Sequence, residues 1–283
     1  MVLAAKLTVN STGFSTVTWK TIHLIKSSAT SGRVFVSDGR AQTRKLIALA
    51  AAMFCCAFLV RAQFAPLPQA DSPEEFDAYL RVVEAATPSA VIAAGDAFRR
   101  AWPTSALRAH VYELEFEAYR ALGDEKKAID AGEESLRAAP DNLVVLANLA
   151  VVLANATSDS KRLARAKEYG LKVIALSKSF RAPRFISPEE WERTSARLNS
   201  QAHSALGLVA NAEGRLADAI REFETAIALA PSPDATQCYR LGVLYRTAGN
   251  TSGAIQKFRQ AAGLNEPAIR RLAERQLREL ERR

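Results

Sequence analysis

Cysteine, histidine and methionine are scarce in this chain of 283 residues, which has three, three and two of them. Three cysteines cannot staple a disulfide scaffold, and Cys55 and Cys56 stand together inside one apolar run. The third, Cys238, falls on an apolar helical stripe and reads as core filler. Glycine (13) and proline (11) are too few for a collagen-like or low-complexity chain. Hydrophobic residues make up 48%, so most of the chain has enough apolar surface to fold. Chemical motifs are missing too. There is no phosphate loop, no glycine-rich dinucleotide turn, no Gly-x-Ser-x-Gly elbow and no His-Glu-x-x-His. His110 and His203 do not share a repeat position, and no cysteine pair has metal spacing beyond the apolar run. Ser158 and Lys161 form one Ser-x-x-Lys without companion motifs. Chance explains that match, and a hydrolase-like alternative would rest on it alone. The expectation is a non-catalytic protein with no cofactor and no metal.

Acids are nearly missing from residues 1–62, where eight bases stand against Asp38 alone. The remainder holds 30 bases and 29 acids, so it offers no electrostatic case for nucleic acid. One basic cluster closes the chain: Arg270, Arg271, Arg275, Arg278, Arg282 and Arg283. Glu274, Glu279 and Glu281 interleave with it at helical spacing, as on a solvated helix face.

The N-terminal segment reads as an address. Arg44-Lys45 precedes an uncharged run of 15 residues, Leu46–Val60, then Arg61-Ala62-Gln63 and a proline-containing stretch. A basic flank, a short apolar core and a small residue match a secretory signal, with cleavage before Gln63 and Ala65 as a second candidate. The run is shorter than the roughly 17–25 apolar residues of a spanning helix. Attachment to the inner membrane through Leu46–Val60, as part of an envelope assembly complex, is the alternative. No lipoprotein signal precedes Cys55 or Cys56. Residues 1–45 are rich in Ser and Thr with little periodicity, and are expected to be poorly structured. A start further in, at Val34 or Val36, would bring the signal to its usual place. The expected location is the bacterial periplasm or the extracellular space.

Beyond the 63–71 linker the chain repeats itself. Leu206-Gly207, Ala210, Gly214, Ala219, Phe223, Ala226 and Pro231 recur 35 residues later as Leu241-Gly242, Tyr245, Gly249, Ala254, Phe258 and Ala261, with Pro267 following. Phe116 to Ala128 repeats the same internal spacing, with Gly132, Ser135 and Pro140 after it. A further copy carries Leu146, Leu149, Ala150 and Leu153, then Ala166, Gly170 and Val173, with four residues inserted near 157–161. A degenerate first copy has Phe76, Tyr79, Val83, Ala94, Phe98 and Ala101. Small residues at these offsets let two antiparallel helices approach, and Phe223, Tyr245 and Phe258 fill the space beside them. Gly123-Asp124, Gly214-Arg215 and Gly249-Asn250 stop each first helix. Ser72-Pro73-Glu74-Glu75 and Ser187-Pro188-Glu189-Glu190 are helix starts of one design. The helix opened by Pro188 is longer than the repeat needs, and Trp191 on its extension reads as a local packing anchor. Residues 267–283 read as a capping helix, with Leu272, Leu277 and Leu280 toward the last repeat.

These residues resemble the tetratricopeptide-repeat family over roughly 72–266. The resemblance implies an all-α solenoid of about five antiparallel helix pairs with a C-terminal cap, and the apolar N-terminal helix outside it. It also implies work as an interaction scaffold for a protein or peptide, with the oligomeric state left open. By resemblance, first helices line a concave groove. The groove positions are then His110, Glu113, Glu117 and Arg120; Asn148, Val151 and Asn155; Ser204 and Asn211; and Tyr239, Arg240, Val243 and Arg246. His203 falls at an aromatic position and is expected to pack in the core. Some family members clamp a terminal carboxylate with Lys, Asn and Arg. Asn148 and Arg240 stand where such residues stand, but the lysines are missing. N-terminal sequencing of the chain recovered from its own cell should give Gln63 as the first residue. A chain that keeps Leu46–Val60 would instead stay with carbonate-washed membranes.

Overall fold

A computed structural model describes the backbone of residues 3–9 and 15–21, and residues 69–155, 157–179 and 186–282. It divides into two compact units, Met1–Gln69 and Ala70–Arg283. In the first, β1 (Leu3–Val9) pairs antiparallel with β2 (Ser15–Thr21), Leu3 opposite Thr21 and Val9 opposite Ser15. The pairing lies within residues 1–45, the stretch expected to be poorly structured. The reason is local: Leu3, Ala5, Leu7 and Val9 alternate with other residues, and β2 is rich in Thr and Val, the composition strands favour. The apolar run Leu46–Val60 and residues 180–185 lie outside the described residues. Among the described residues, no helix is long and apolar enough to cross a membrane.

The second unit is all helix, with eleven helices among the described residues. They are α1 (Pro73–Val83), α2 (Pro88–Ala101), α3 (Arg108–Ala121), α4 (Glu125–Ala138), α5 (Leu143–Ala154), α6 (Ser160–Ser179), α7 (Pro188–Ala212), α8 (Leu216–Leu229), α9 (Ala235–Thr247), α10 (Thr251–Gly263) and α11 (Pro267–Glu281). The first ten form five pairs. Each second helix packs on its own first helix and on the first helix of the next pair. Such a pair has two apolar faces to cover and so requires a neighbour. The last neighbour is α11, which lays Ile269, Ala273, Leu277 and Leu280 against α9 and α10 and turns its arginines outward.

Local chemistry sets the ends of these helices. Gly123, Gly214 and Gly249 adopt φ of 75°, 74° and 78°, the left-handed conformation that closes a helix. After Gly123 and Gly249 the next side chain opens the second helix: Asp124 accepts from Lys127 N–H, and Asn250 from Gly253 N–H. Ser72 and Ser187 cap α1 and α7 through Glu75 and Glu190 N–H at 3.1 Å each. The third pair has no glycine turn. Its loop runs from Asn155 to Asp159, and Asp159 accepts from Lys161 and Arg162 N–H to start α6.

Inside the second, fourth and fifth pairs a bulky residue meets a missing one. A Cβ added to Gly207 would sit 2.7 Å from the Phe223 ring, and one added to Gly242 the same distance from Phe258. In the second pair the two are exchanged. Phe116 occupies the first helix, and Gly132 on the second helix makes room for it. Phe116, Phe223 and Phe258 are fully buried. A polar substitution in the pattern is Glu115, buried at the place where the later copies carry Leu206 and Leu241. Arg99 of α2 pairs with it and with Asp96, and lies 4.7 Å over the Tyr112 ring. Burial pushes the Glu115 carboxyl upward, and Arg99 only partly offsets this. Arg99 is itself held above its usual range by the same pair.

Two stability outcomes follow from this packing. Gly242→Leu should cost about 1–3 kcal/mol by overpacking against Phe258, lowering the melting temperature by roughly 5 °C. An unchanged thermal melt would refute the contact. Glu115→Ala should cost about 3 kcal/mol, because it removes the buried partner of Arg99 and leaves only the exposed Asp96. The double variant Arg99→Met/Glu115→Leu should recover most of that loss in denaturant titrations.

Candidate partner groove

The first helices α1, α3, α5, α7 and α9 form one row, continued by α11. Side chains on this row meet across repeats. Asn142 caps α5 by accepting from Val144 and Val145 N–H, and its amide donates to Glu113 of α3 at 2.7 Å. Asn148 of α5 donates to Glu117 of α3 at 2.8 Å, and Arg120 grips both oxygens of Glu117. Arg240 of α9 donates to Asn155 Oδ1 at 2.9 Å, reaching over α7 to a residue two repeats away. Helices at the usual spacing of about 8–10 Å would hold α5 and α9 about 16–20 Å apart in a flat row. Their side chains meet on this side, so the row curves toward it. This is the inner face.

Comparison with solved structures agrees with that architecture. MamA from Desulfovibrio magneticus RS-1, residue 41 to its end, superposes with a TM-score of 0.50 at 16% identity. The match covers 68% of this chain and 95% of that one. The chain has the tetratricopeptide-repeat fold. TTC0263, a thermophilic protein of this class in Thermus thermophilus, gives a TM-score of 0.43 at 18% identity, over 71% of this chain and 93% of that one. YrrB, described as a repeat protein with an unusual peptide-binding site, gives 0.43 at 19% identity, over 66% and 84%. No protein-family model matches the chain, and no curated protein matches its sequence.

On this tetratricopeptide-repeat frame the expected groove residues part ways. Glu117, Arg120 and Asn148 form one hydrogen-bonded network between α3 and α5, while Glu113 accepts from Asn142 separately, with His110 Nδ1 3.6 Å from it. Asn155 and Arg240 form a second. Asn211 is exposed near the end of α7. Tyr239 is half-buried, its ring tilted on Phe258 at 5.6 Å, so it roofs its own repeat. Arg246 binds Gln276 and lies 3.4 Å from Glu279, both on the capping helix. Val151 and Val243 are both half-buried, and Val243 packs against the core of the last pair.

Other candidates are structural. His203 Nδ1 lies 2.7 Å from Glu222 Oε2 on the partner helix α8, so its aromatic position carries a polar contact as well as packing. Trp191 packs against the central core. Cys238 is buried, and burial pushes its thiol up. Ser158 and Lys161 are exposed around the cap that Asp159 supplies.

Arg197 is an inner-face residue that repeat spacing misses. It lies on α7 ahead of the repeat register, in the extension opened by Pro188. Its signal is helical: Arg197, Gln201 and Ser204 fall at i, i+4 and i+7 on one face. Burial holds the guanidinium below its usual range, opposed by the charge of Glu117. Arg240 is lowered for the same reason, opposed by Asp234. Asn155→Ala removes one half-exposed hydrogen bond and should cost about 1 kcal/mol. A loss above about 2 kcal/mol in chemical denaturation would make it a core element instead.

Proposed function

We propose that this chain is an exported, non-catalytic scaffold that holds a peptide or protein segment along the inner face of its repeats. The observation that carries this reading is the row itself. Consecutive first helices offer polar side chains, Glu117, Asn148, Asn155 and Arg240 among them, that bond from repeat to repeat along one curved surface. A surface of that kind reads an extended partner through many modest contacts spread over several helices. The basic residues Arg44-Lys45 ahead of Leu46–Val60 support work outside the cytoplasm.

A photo-crosslinking amino acid tests the groove in the full chain. At Asn211, on the inner row, it should capture a partner in the exporting cell. At Leu171, which is 50% exposed on a second helix, it should not. Capture from Leu171 alone would overturn the groove reading.

A further inference from the structure

The two ends of the helical unit carry opposite charge. At the last helix, α11, Arg271, Arg275, Arg278 and Arg282 stand at offsets of 0, 4, 7 and 11, within an arc of about 60°. All four are exposed, on the side opposite Ile269, Ala273, Leu277 and Leu280, which pack on the last pair. None of the four has a carboxylate within 4.0 Å among the described residues. Glu279 is taken by Arg246, and Arg270 donates to the Ala262 and Leu264 carbonyls. Ala268, Arg271, Leu272, Arg275 and Arg278 line an open trough of about 470 Å³, a seat for another helix's side chains. The first helix, α1, presents the reverse. Asp71, Glu74, Asp77 and Glu84 are exposed around one base, Arg81. None of these acids has a cation within 4.0 Å among the described residues, and Arg81 Nε donates to the Asp77 carbonyl instead.

The two ridges match in length. At 1.5 Å per residue, Arg271 to Arg282 spans about 16 Å and Glu74 to Glu84 about 15 Å. Helix dipoles explain only part of either ridge. They favour acids in a first turn and bases in a last turn, as for Glu74 and Arg278. They do not favour Glu84 at the end of α1, nor Arg271 and Arg275 ahead of the last turn of α11. Arg271 with Arg275, and Arg278 with Arg282, are like-charge pairs one turn apart, which weaken a helix. A terminal helix needs a polar outer face for solubility, and mixed signs would supply one without repulsion. One sign at each end calls for an answering surface. These ends are also where the described array stops: α11 has no second helix of its own, and α1 has no pair before it among the described helices.

We propose that the arginine ridge of α11 docks on the acidic ridge of α1 in a second copy of this chain, end to end. Arg271, Arg275, Arg278 and Arg282 meet Asp71, Glu74, Asp77 and Glu84, guanidinium to carboxylate. The contact joins two different patches, so each copy keeps one ridge open after binding. Assembly then runs on into rows or closes into a ring. Exposed ion pairs are individually weak and are screened by salt, so the rows form where copies are concentrated and part as salt rises. The contact uses neither the groove nor its residues and does not depend on what the groove holds.

Sedimentation equilibrium of the full chain tests this, in a mild non-ionic detergent so that the apolar run does not drive association. At about 0.1 mM protein the average mass should be roughly twofold the single-chain mass or more at about 10 mM salt, where screening reaches about 30 Å. It should fall to the single-chain mass at about 1 M salt, where screening reaches about 3 Å. Two charge-reversed variants locate the contact: Arg275→Glu/Arg278→Glu on the cap and Asp77→Lys/Glu84→Lys on α1. All four positions are exposed, so melting temperatures should hold within roughly 3 °C. Each variant alone should stay single at low salt. Their equimolar mixture should associate again, because the unaltered cap of one still meets the unaltered α1 of the other. A wild-type chain that stays single at low salt, or a mass that ignores salt, would overturn the contact. So would association that survives in either variant, or a mixture that stays single. If the wild-type chain stays single but floats with phosphatidylglycerol vesicles, and the cap variant does not, the arginine ridge belongs to a lipid surface instead.

Discussion

Close approach of paired helices is the constraint on which the rest of this structure depends. An aromatic ring occupies the volume that a glycine leaves empty, as Phe223 does against Gly207 and Phe258 against Gly242. Interiors are close-packed, so this complementarity decides how near two helices come. In the second, fourth and fifth pairs it sets how the two helices seat, and so how the next pair is offered its face. The second pair shows that volume matters here more than position. Phe116 and Gly132 exchange the two roles between helices and still face each other.

The repeats were readable where small and large residues recur at fixed offsets. Gly207, Ala219, Phe223 and their counterparts 35 residues on announce helix, turn and packing at once. The turn glycines were equally plain, because left-handed backbone leaves few alternatives to Gly. Three features were not readable, each for a physical reason. Glu115 is an acid in an apolar slot, and only the neighbouring Arg99 makes it tolerable. Arg197 lies outside the register, on an extension whose facing cannot be deduced from repeat offsets. The β1–β2 hairpin comes from a short alternation set among Ser and Thr, a signal weak beside the helical periods downstream. At the inner face, sequence offsets named Asn155 and Arg240 separately. Their bond joins residues 85 apart, and no local pattern expresses that.

Electrostatics divides the inner face along its length. Toward α3 the carboxylates of Glu113 and Glu117 are hydrogen-bonded by amides and by Arg120, whose single charge leaves this well-bonded stretch net negative. Toward α7 and α9 the charges are cationic and partly desolvated. Charge buried away from water contributes little to stability unless it is answered. The same division explains why a near-neutral body carries local charge contrast despite almost equal counts of acids and bases.

The glycine-free loop after α5 has a mechanical consequence. Where the neighbouring pairs turn sharply, this one releases Asn155 in extended backbone, free to be reached by Arg240. The bond spans the helix between them like a strut across a bow. A solenoid is otherwise elastic, since each pair touches only its neighbours and small bends accumulate. With the strut in place, opening the bow requires breaking it. Loss of that one bond would leave the third and fifth pairs free to part, and the pitch of the whole coil would follow.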